Sequence, residues 1–326
     1  MTHTDATLTS VTVPKVQQNV VSPKSPVEGR VISTELCTAG GKKAAGFVRH
    51  VAIDVTGTPL AGSFKAGQSF GVVPPGHDEQ GKPHKLRLYS LACPSAGEDG
   101  EGNVVATTVK RLIDEHWKEQ KLFAGIASNY LCDLRVGDTV TLTGPAGKRF
   151  LLPEDPGAFD YIFFATGTGI APFRGMLGDL AASGVRSRVA LVMGAPFATD
   201  LLYDDELRAL EAEHDWFRYL PALSRVNQHD GFGPMYVHQR IEQDPEAQSE
   251  RGLRAMLDSD RTVVYVCGIA GMELGVFKTL AKVLPPDRLA QYAAIDPEIA
   301  HDPGSWDRKM IGRAIKPTDR VMLEVY

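Results

Sequence analysis

Cysteine is scarce in this chain and never clustered. Cys37, Cys93, Cys132 and Cys267 are its four, and no two stand at a C-x-x-C spacing. That excludes a disulfide framework, a zinc site built on local cysteine pairs, and an iron–sulfur cluster held by a cysteine run. An excess of basic charge is missing too. Lys and Arg number 35 against 40 Asp and Glu, leaving a formal charge of -5. A nucleic-acid binder usually carries the opposite balance. Any acidic partner needs a local basic patch, because the overall charge repels it. No apolar run is long enough to cross a bilayer. The opening MTHTDATLTS has neither the basic start nor the apolar core of a secretory signal, and Arg, abundant in transit peptides, first occurs at Arg30. The expectation is a soluble cytoplasmic protein without a metal site.

What is present is an ordinary globular balance, 43% hydrophobic and 23% charged, over 326 residues, a length that suits two domains. Residues 1–29 are rich in Thr, Ser, Val and Pro and read as a flexible leader, with Pro14, Pro23 and Pro26 discouraging regular structure. Residues 30–155 carry short β-branched runs punctuated by Gly and Pro, such as VRHVAIDV, SFGVVP, VVATTV and DTVTLTG. Many short strands of this kind predict an antiparallel barrel. Past Pro153 the rhythm changes to strand, turn and helix. YIFFAT at 161–166 is continuously apolar, as a strand buried on both faces requires, and a turn over 167–172 leads into a helix over 173–182. Further strands are expected at 188–194, 217–223, 262–267 and 321–326, with helices at 204–214 and 271–283. Such alternation predicts a parallel sheet flanked by helices, so 156–326 forms an α/β domain.

Two segments have the chemistry of a nucleotide site. In TGTGIAPFRGML (166–177), Gly167 and Gly169 permit a tight turn and a close backbone approach to a diphosphate at a helix start, and Pro172 suits a first helical turn. The spacing is not G-x-G-x-x-G, which argues against an ordinary dehydrogenase domain. In RLYSLACP (87–94), an arginine can clamp a diphosphate, a tyrosine can cover a flavin ring and a serine can reach its N5. Taken singly, each of these residues is as readily a packing residue.

Their order along the chain is more informative. GQSFGVVPPG, RLYS, TVKRL, GIASNYLCDLRVGD and TGPAGK are followed by TGTGIAPFR, LLYDDEL, LSR, MY, VYVCGIAGMELG and EVY. From about residue 27 to the last residue the chain resembles the plant-type ferredoxin–NADP(+) reductases. That resemblance implies an FAD-binding barrel and an NADP-binding α/β domain. Arg87 is implied to hold the FAD diphosphate, Tyr89 to stack on the flavin, and Ser90 to bond near N5, with Leu88 between them. Thr108, Val109 and Lys110 match a second flavin segment, Lys110 also reaching NADP. Ile126, Ala127 and Ser128 match a loop around the FAD diphosphate, with Ala127 where plant enzymes have cysteine. Tyr326 matches an aromatic covering the other flavin face, which must move for hydride transfer. Glu324 and Cys267 match a carboxylate and a thiol at the nicotinamide. For NADP, the resemblance implies Thr166, Gly167, Thr168 and Gly169 at the diphosphate and nicotinamide. Ala195, Pro196, Gly268 and Ile269 would line the cofactor, Ser224 and Arg225 hold the 2′-phosphate, and Tyr236 stack on adenine.

Three positions depart from the family pattern. Pro234 replaces a cation near the 2′-phosphate, which predicts a weaker preference for NADP over NAD. His238 replaces a glutamine. Asp114 takes the place of the tyrosine that stacks on the FAD adenine, leaving Trp117 or Phe123 to substitute. The implied activity is hydride exchange between NADP(H) and flavin, with single electrons passed to a separate ferredoxin or flavodoxin. Lys65, Lys82, Lys85, Arg308, Lys309, Arg313 and Lys316 are its candidate docking cations. The alternatives are a reductase component serving an oxygenase, or a redox-sensing binding protein on the same fold.

Overall fold

The computed structural model describes residues 9–38, 47–116, 118–184 and 186–326, so Trp117 lies outside the described residues. The first half is built from β1 (Val27–Leu36), β2 (Val48–Asp54), β3 (Ser69–Val73), β4 (Arg87–Ser90) and β5 (Val104–Lys110). There follow the hairpin β6 (Ile113–His116) and β7 (Lys121–Ala124), helix α1 (Ile126–Asp133) and β8 (Thr139–Ala146). Six strands form one antiparallel sheet in the order β4-β3-β8-β1-β2-β5. The sheet closes into a barrel, because the chain just past β4 pairs with β5. Leu91 bridges Thr107, and the Ala92 amide donates to the Ala106 carbonyl at 2.8 Å. Alternate residues such as Val51, Ile53, Phe70 and Leu142 point inward and are fully buried.

The second half begins with β9 (Asp160–Thr166), α2 (Ala171–Ser183), β10 (Val189–Ala195), α3 (Asp204–Glu213) and β11 (Phe217–Leu223). Then come α4 (Leu253–Leu257), β12 (Thr262–Gly268), α5 (Met272–Val283), the short pair β13 (Ala293–Ile295) and β14 (Ile315–Pro317), and β15 (Val321–Val325). The parallel sheet runs β11-β10-β9-β12-β15. Along β9 the side chains of Tyr161, Phe163 and Ala165 join one core layer, while Ile162 and Phe164 join the other. A strand buried on both faces has to be apolar over its central run, as 161–165 is, and the buried Asp160 at its start is neutralised by Arg188 at 2.7 Å. The layer holding Phe163 also takes in Ala66 and Phe150 from the first half, so one core spans the junction. No helix among the described residues is long and apolar enough to cross a membrane.

The structure corrects two expectations. The stretch read as a flexible leader is anchored from Thr9 onward. Arg320 donates to the Thr9 carbonyl at 2.8 Å, Val11 is buried, Gln68 donates to the Gln17 carbonyl at 3.0 Å, and Val21 bridges Gly144. Proline removes donors but does not prevent an extended chain from burying its valines. The turn expected at 167–172 is a 3-10 turn over Gly167–Ile170, and α2 already starts at Ala171, with Pro172 in its first turn. Proline fits there because its missing N–H has no intrahelical partner anyway.

Candidate active site

Two cavities meet at one wall. The first, of about 960 Å³, opens on the barrel side. The ends of β4 and β5 supply Arg87, Leu88, Tyr89, Ser90, Thr108, Val109 and Lys110 to it, and Glu324 and Tyr326 close it from the chain end. Arg87 is exposed, and its guanidinium donates to the Leu86 carbonyl at 3.2 Å, leaving the rest of its fork for the cavity. Tyr89 is half-buried. Desolvation is the main reason its phenol is pushed up to about 12, so it stays protonated at physiological pH.

Ile126, Ala127 and Ser128, expected in a loop, form the first turn of α1. They line the cavity, and the preceding Gly125 makes no side-chain cap. The first amides of that helix therefore lack intrahelical acceptors on the side where the cavity lies. Helix geometry delivers three consecutive N–H groups here, which a loop reading of the sequence did not anticipate.

The second cavity, of about 670 Å³, lies where the strand order of the parallel sheet reverses. β9 ends at Thr166 and β12 at Gly268, and open α/β sheets bind ligands in the crevice outside such strand ends. Its walls include Thr166, Gly167, Thr168, Ala195, Pro196, Ser224, Tyr236 and Ile269. Gly169 does not line it, and its role is steric. A Cβ there would stand 2.3 Å from the Cys267 carbonyl oxygen, so only glycine lets the two strand ends approach. Thr166 uses its hydroxyl to tie the two loops together, accepting from the Ile269 amide at 2.9 Å and donating to the Met272 sulfur at 3.3 Å.

Lys110, Thr168 and Tyr326 belong to both cavities. Tyr326 is 62% exposed, but its backbone is pinned on both sides. Its amide donates to the Gly268 carbonyl at 3.0 Å, and its carbonyl accepts from Ala270 at 2.9 Å. Its phenol meets the Thr168 hydroxyl at 2.6 Å. Parallel pairing of β12 with β15 sets Cys267 beside Glu324. Burial, then the nearby Glu324, drives the Cys267 thiol well above its usual range, so it is a neutral thiol and not a nucleophile. Burial also raises the Glu324 carboxyl, whose Oε2 has no hydrogen-bond partner.

Four expected residues stand off the cavity walls. Cys267 is 1% exposed, Gly169 and Gly268 act through the backbone, and Arg225 is an exposed neighbour of Ser224 whose amide donates to the Pro196 carbonyl. Of the seven docking cations only Lys85 reaches a wall, and Arg308 is paired with the buried Glu273 at 3.0 Å. Sequence reasoning did not place His84 and Met272, which line the cavities, as do Phe123, offered there as an adenine-stacking substitute, and His238, named as a departure from the family pattern. Phe123 stands directly opposite Asp114 across the β6–β7 hairpin. Period-2 alternation would have revealed their shared face had the hairpin been recognised.

An oxidoreductase NAD-binding domain family matches residues 163–278. Among proteins of known identity, the ferredoxin–NADP reductase of Spirulina is 38% identical over 265 residues, covering 79% of this chain and 86% of that protein. The chloroplastic enzyme of Spinacia oleracea is 39% identical over 267 residues, 79% of this chain and 68% of its own. That of Synechocystis is 36% identical, and this chain spans 65% of its length. A solved ferredoxin–NADP+ reductase from Plasmodium falciparum superposes with a TM-score of 0.66 at 20% identity, over 94% of this chain and 99% of that one. The likeness in structure extends the agreement in fold over nearly the whole chain, and the likeness in sequence makes this chain a member of the ferredoxin–NADP reductase family.

Proposed function

We propose that this chain is an FAD-containing oxidoreductase that exchanges a hydride with NADP(H) and single electrons with a separate ferredoxin or flavodoxin. The observation that carries the reading is the shared wall. Lys110, Thr168 and Tyr326 border a flavin-sized cavity and a nucleotide-sized cavity at once. Residues 30–155 are assigned to the FAD domain and 156–326 to the NADP domain.

The donor sets fit both cofactors. Around the first cavity, the uncapped amides of α1 and the open fork of Arg87 suit a diphosphate, and Tyr89 supplies an aromatic wall. Around the second, the glycine-built crevice at the sheet's reversal suits a dinucleotide. Bound flavin supplies the conversion between two-electron and one-electron transfer. The chain's own residues bind and orient. Arg87 and the residue 126–128 amides hold the FAD diphosphate, with Leu88, Thr108 and Val109 as packing. Tyr89 and Tyr326, on walls of the same cavity, would hold the flavin ring, and Ser90 would offer it a hydroxyl. Thr166, Gly167, Thr168, Ala195, Pro196 and Ile269 form the NADP channel, with Gly169 and Gly268 letting the backbones behind it approach closely. Ser224 and Arg225 take the 2′-phosphate, and Tyr236 packs on adenine.

Lys110 supplies positive charge between the two sites. Cys267, a neutral thiol, adds no charge where a hydride moves, and burial makes ionisation of Glu324 beside it less favourable. With Pro234 in place of a cation, preference for NADP over NAD is reduced. The protein works in a reducing compartment, the cytoplasm, in keeping with its four free cysteines. Purified protein should be yellow with a bound-flavin spectrum that bleaches anaerobically with NADPH and recovers on adding oxidised ferredoxin. A colourless protein that takes up no FAD would overturn the reading.

A further inference from the structure

Tyr203 lies in the LLYDDEL segment, to which nothing above gives a role. Its backbone is left-handed, at φ 58° and ψ 26°, immediately before α3. A tyrosine in that region is strained, and such strain persists only where the surroundings enforce it. Here the conformation carries the ring across the domain junction. On the barrel, His50 of β2 and Thr108 of β5 are directly opposed in register. The Tyr203 hydroxyl sits between them, 2.9 Å from His50 Nδ1 and 2.5 Å from Thr108 Oγ1.

Burial, and secondarily the Arg174 charge, bring His50 down to about 4, so its ring is neutral. Its Nε2 faces Glu98 at 3.6 Å, which favours the ring proton on that side. His50 Nδ1 then accepts from Tyr203, and the Tyr203 oxygen accepts from the Thr108 hydroxyl. The His50 ring meets the Tyr203 ring edge-on at 5.8 Å. The Arg174 guanidinium lies 5.1 Å from the Tyr203 ring centre while donating to the barrel carbonyl of Ala92 at 2.8 Å. Beside this cluster lies an open cleft of about 620 Å³ whose walls include Leu36, His50, Arg174 and Tyr203. Arg174 also pairs with Glu98 of the barrel here, so the Tyr203 contact acts alongside an ion pair at the junction.

Both ends of the contact lead to the active site. Thr108 and Lys110 line the flavin cavity, and Ala195 and Pro196, in the segment leading to Tyr203, line the nucleotide cavity. We infer that Tyr203 is a positioning residue: a strut that sets the spacing between the two cavity walls by holding the 195–203 segment against β5. The inference rests on the functional reading above for its kinetic consequence, not for its structural one.

The test uses the flavin-loaded protein and the variant Tyr203→Phe, which keeps the ring and removes the hydroxyl. At saturating NADPH, single-turnover flavin reduction should slow about tenfold, because small misplacements of reacting groups are costly. Flavin content and NADP+ affinity should stay close to those of the parent protein. In the flavin-free protein, hydrogen exchange should accelerate together at 195–203 and at 105–110. His50→Leu should reproduce both effects, and His50→Asn, which offers an acceptor in place of Nδ1, should restore them. An unchanged reduction rate with unchanged exchange at 105–110 would overturn the strut. So would a rate that falls only in proportion to lost flavin or lowered melting temperature. If the protein took up no flavin, the functional reading would fail, and the exchange measurement would still decide for or against the strut.

Discussion

The phenol of Tyr326 and the hydroxyl of Thr168 stand 2.6 Å apart, tying the chain end to the turn after β9 at the meeting point of the two cavities. A nucleotide that occupies this turn competes with Tyr326 for both space and a hydrogen-bond partner. Tyr326→Ser should therefore tighten NADP+ binding and weaken discrimination between NADP and NAD. Thr168→Val breaks the same tie but also takes away the hydroxyl the nucleotide competes for, so it should tighten binding less than Tyr326→Ser does. Titrations followed by the flavin difference spectrum measure both, and unchanged affinity in both variants would remove the gating role.

Ser90 lines the flavin cavity, and its carbonyl accepts from Thr107 at 2.8 Å, so the strand stays in place without its hydroxyl. Ser90→Val should slow hydride transfer by on the order of 10²-fold, the span of a lost transition-state donor. Flavin content and melting temperature should change little. A loss of rate matched by a loss of flavin would make Ser90 a packing residue.

Glu324 provides a pH test. Burial raises its folded-state pKa, so the folded protein holds its proton more tightly than the unfolded chain does. The ionised form is thus a destabilising load, absent below the ordinary glutamate range and growing as pH rises through the raised value. Glu324→Gln should melt higher than the parent at neutral pH, and the gap should close below pH of about 4.3. Thermal denaturation across pH decides it, and a gap that widens in acid contradicts the assignment.

Phe123 is 44% exposed, lines the flavin cavity and faces Asp114 across the hairpin. It is placed to replace the missing adenine-stacking tyrosine. Stacking of a base on an aromatic side chain contributes about 1–3 kcal/mol, so Phe123→Ala should weaken FAD binding by roughly one to two decades. Equilibrium titration of the flavin-free protein measures this, and retained affinity would send the adenine elsewhere.

Lys85 at the cavity rim and the exposed Lys309 are the candidate docking cations whose reversal is most informative. Ferredoxin reduction should fall steeply with ionic strength, while reduction of an uncharged dye should not. Lys85→Glu should lower the ferredoxin rate several-fold at low salt. Arg225→Ala, a change at an exposed residue beside Ser224, should cost NADPH about tenfold in efficiency and leave NADH unaffected. Equal losses with both cofactors would separate Arg225 from the 2′-phosphate.

The local pattern of the sequence determined the two-part architecture. The continuously apolar 161–165 run required a strand buried on both faces, and the short β-branched runs between Gly and Pro that form β2 and β5, both buried along most of their length, indicated an antiparallel barrel. Glycine and proline spacing marked the turn into α2, since those residues constrain the backbone they occupy. Other features were decided only by long-range packing. The register that puts Phe123 opposite Asp114, the helical first turn at Ile126, and the placing of Lys110 on two cavities depend on contacts with distant segments. The same holds for Tyr203, unremarkable between two leucines and two aspartates. It acquires its place only when strands more than ninety residues away bring Thr108 and His50 to its hydroxyl. Nearest neighbours set backbone preference and burial, but which side chains converge is settled when the two domains close on one core.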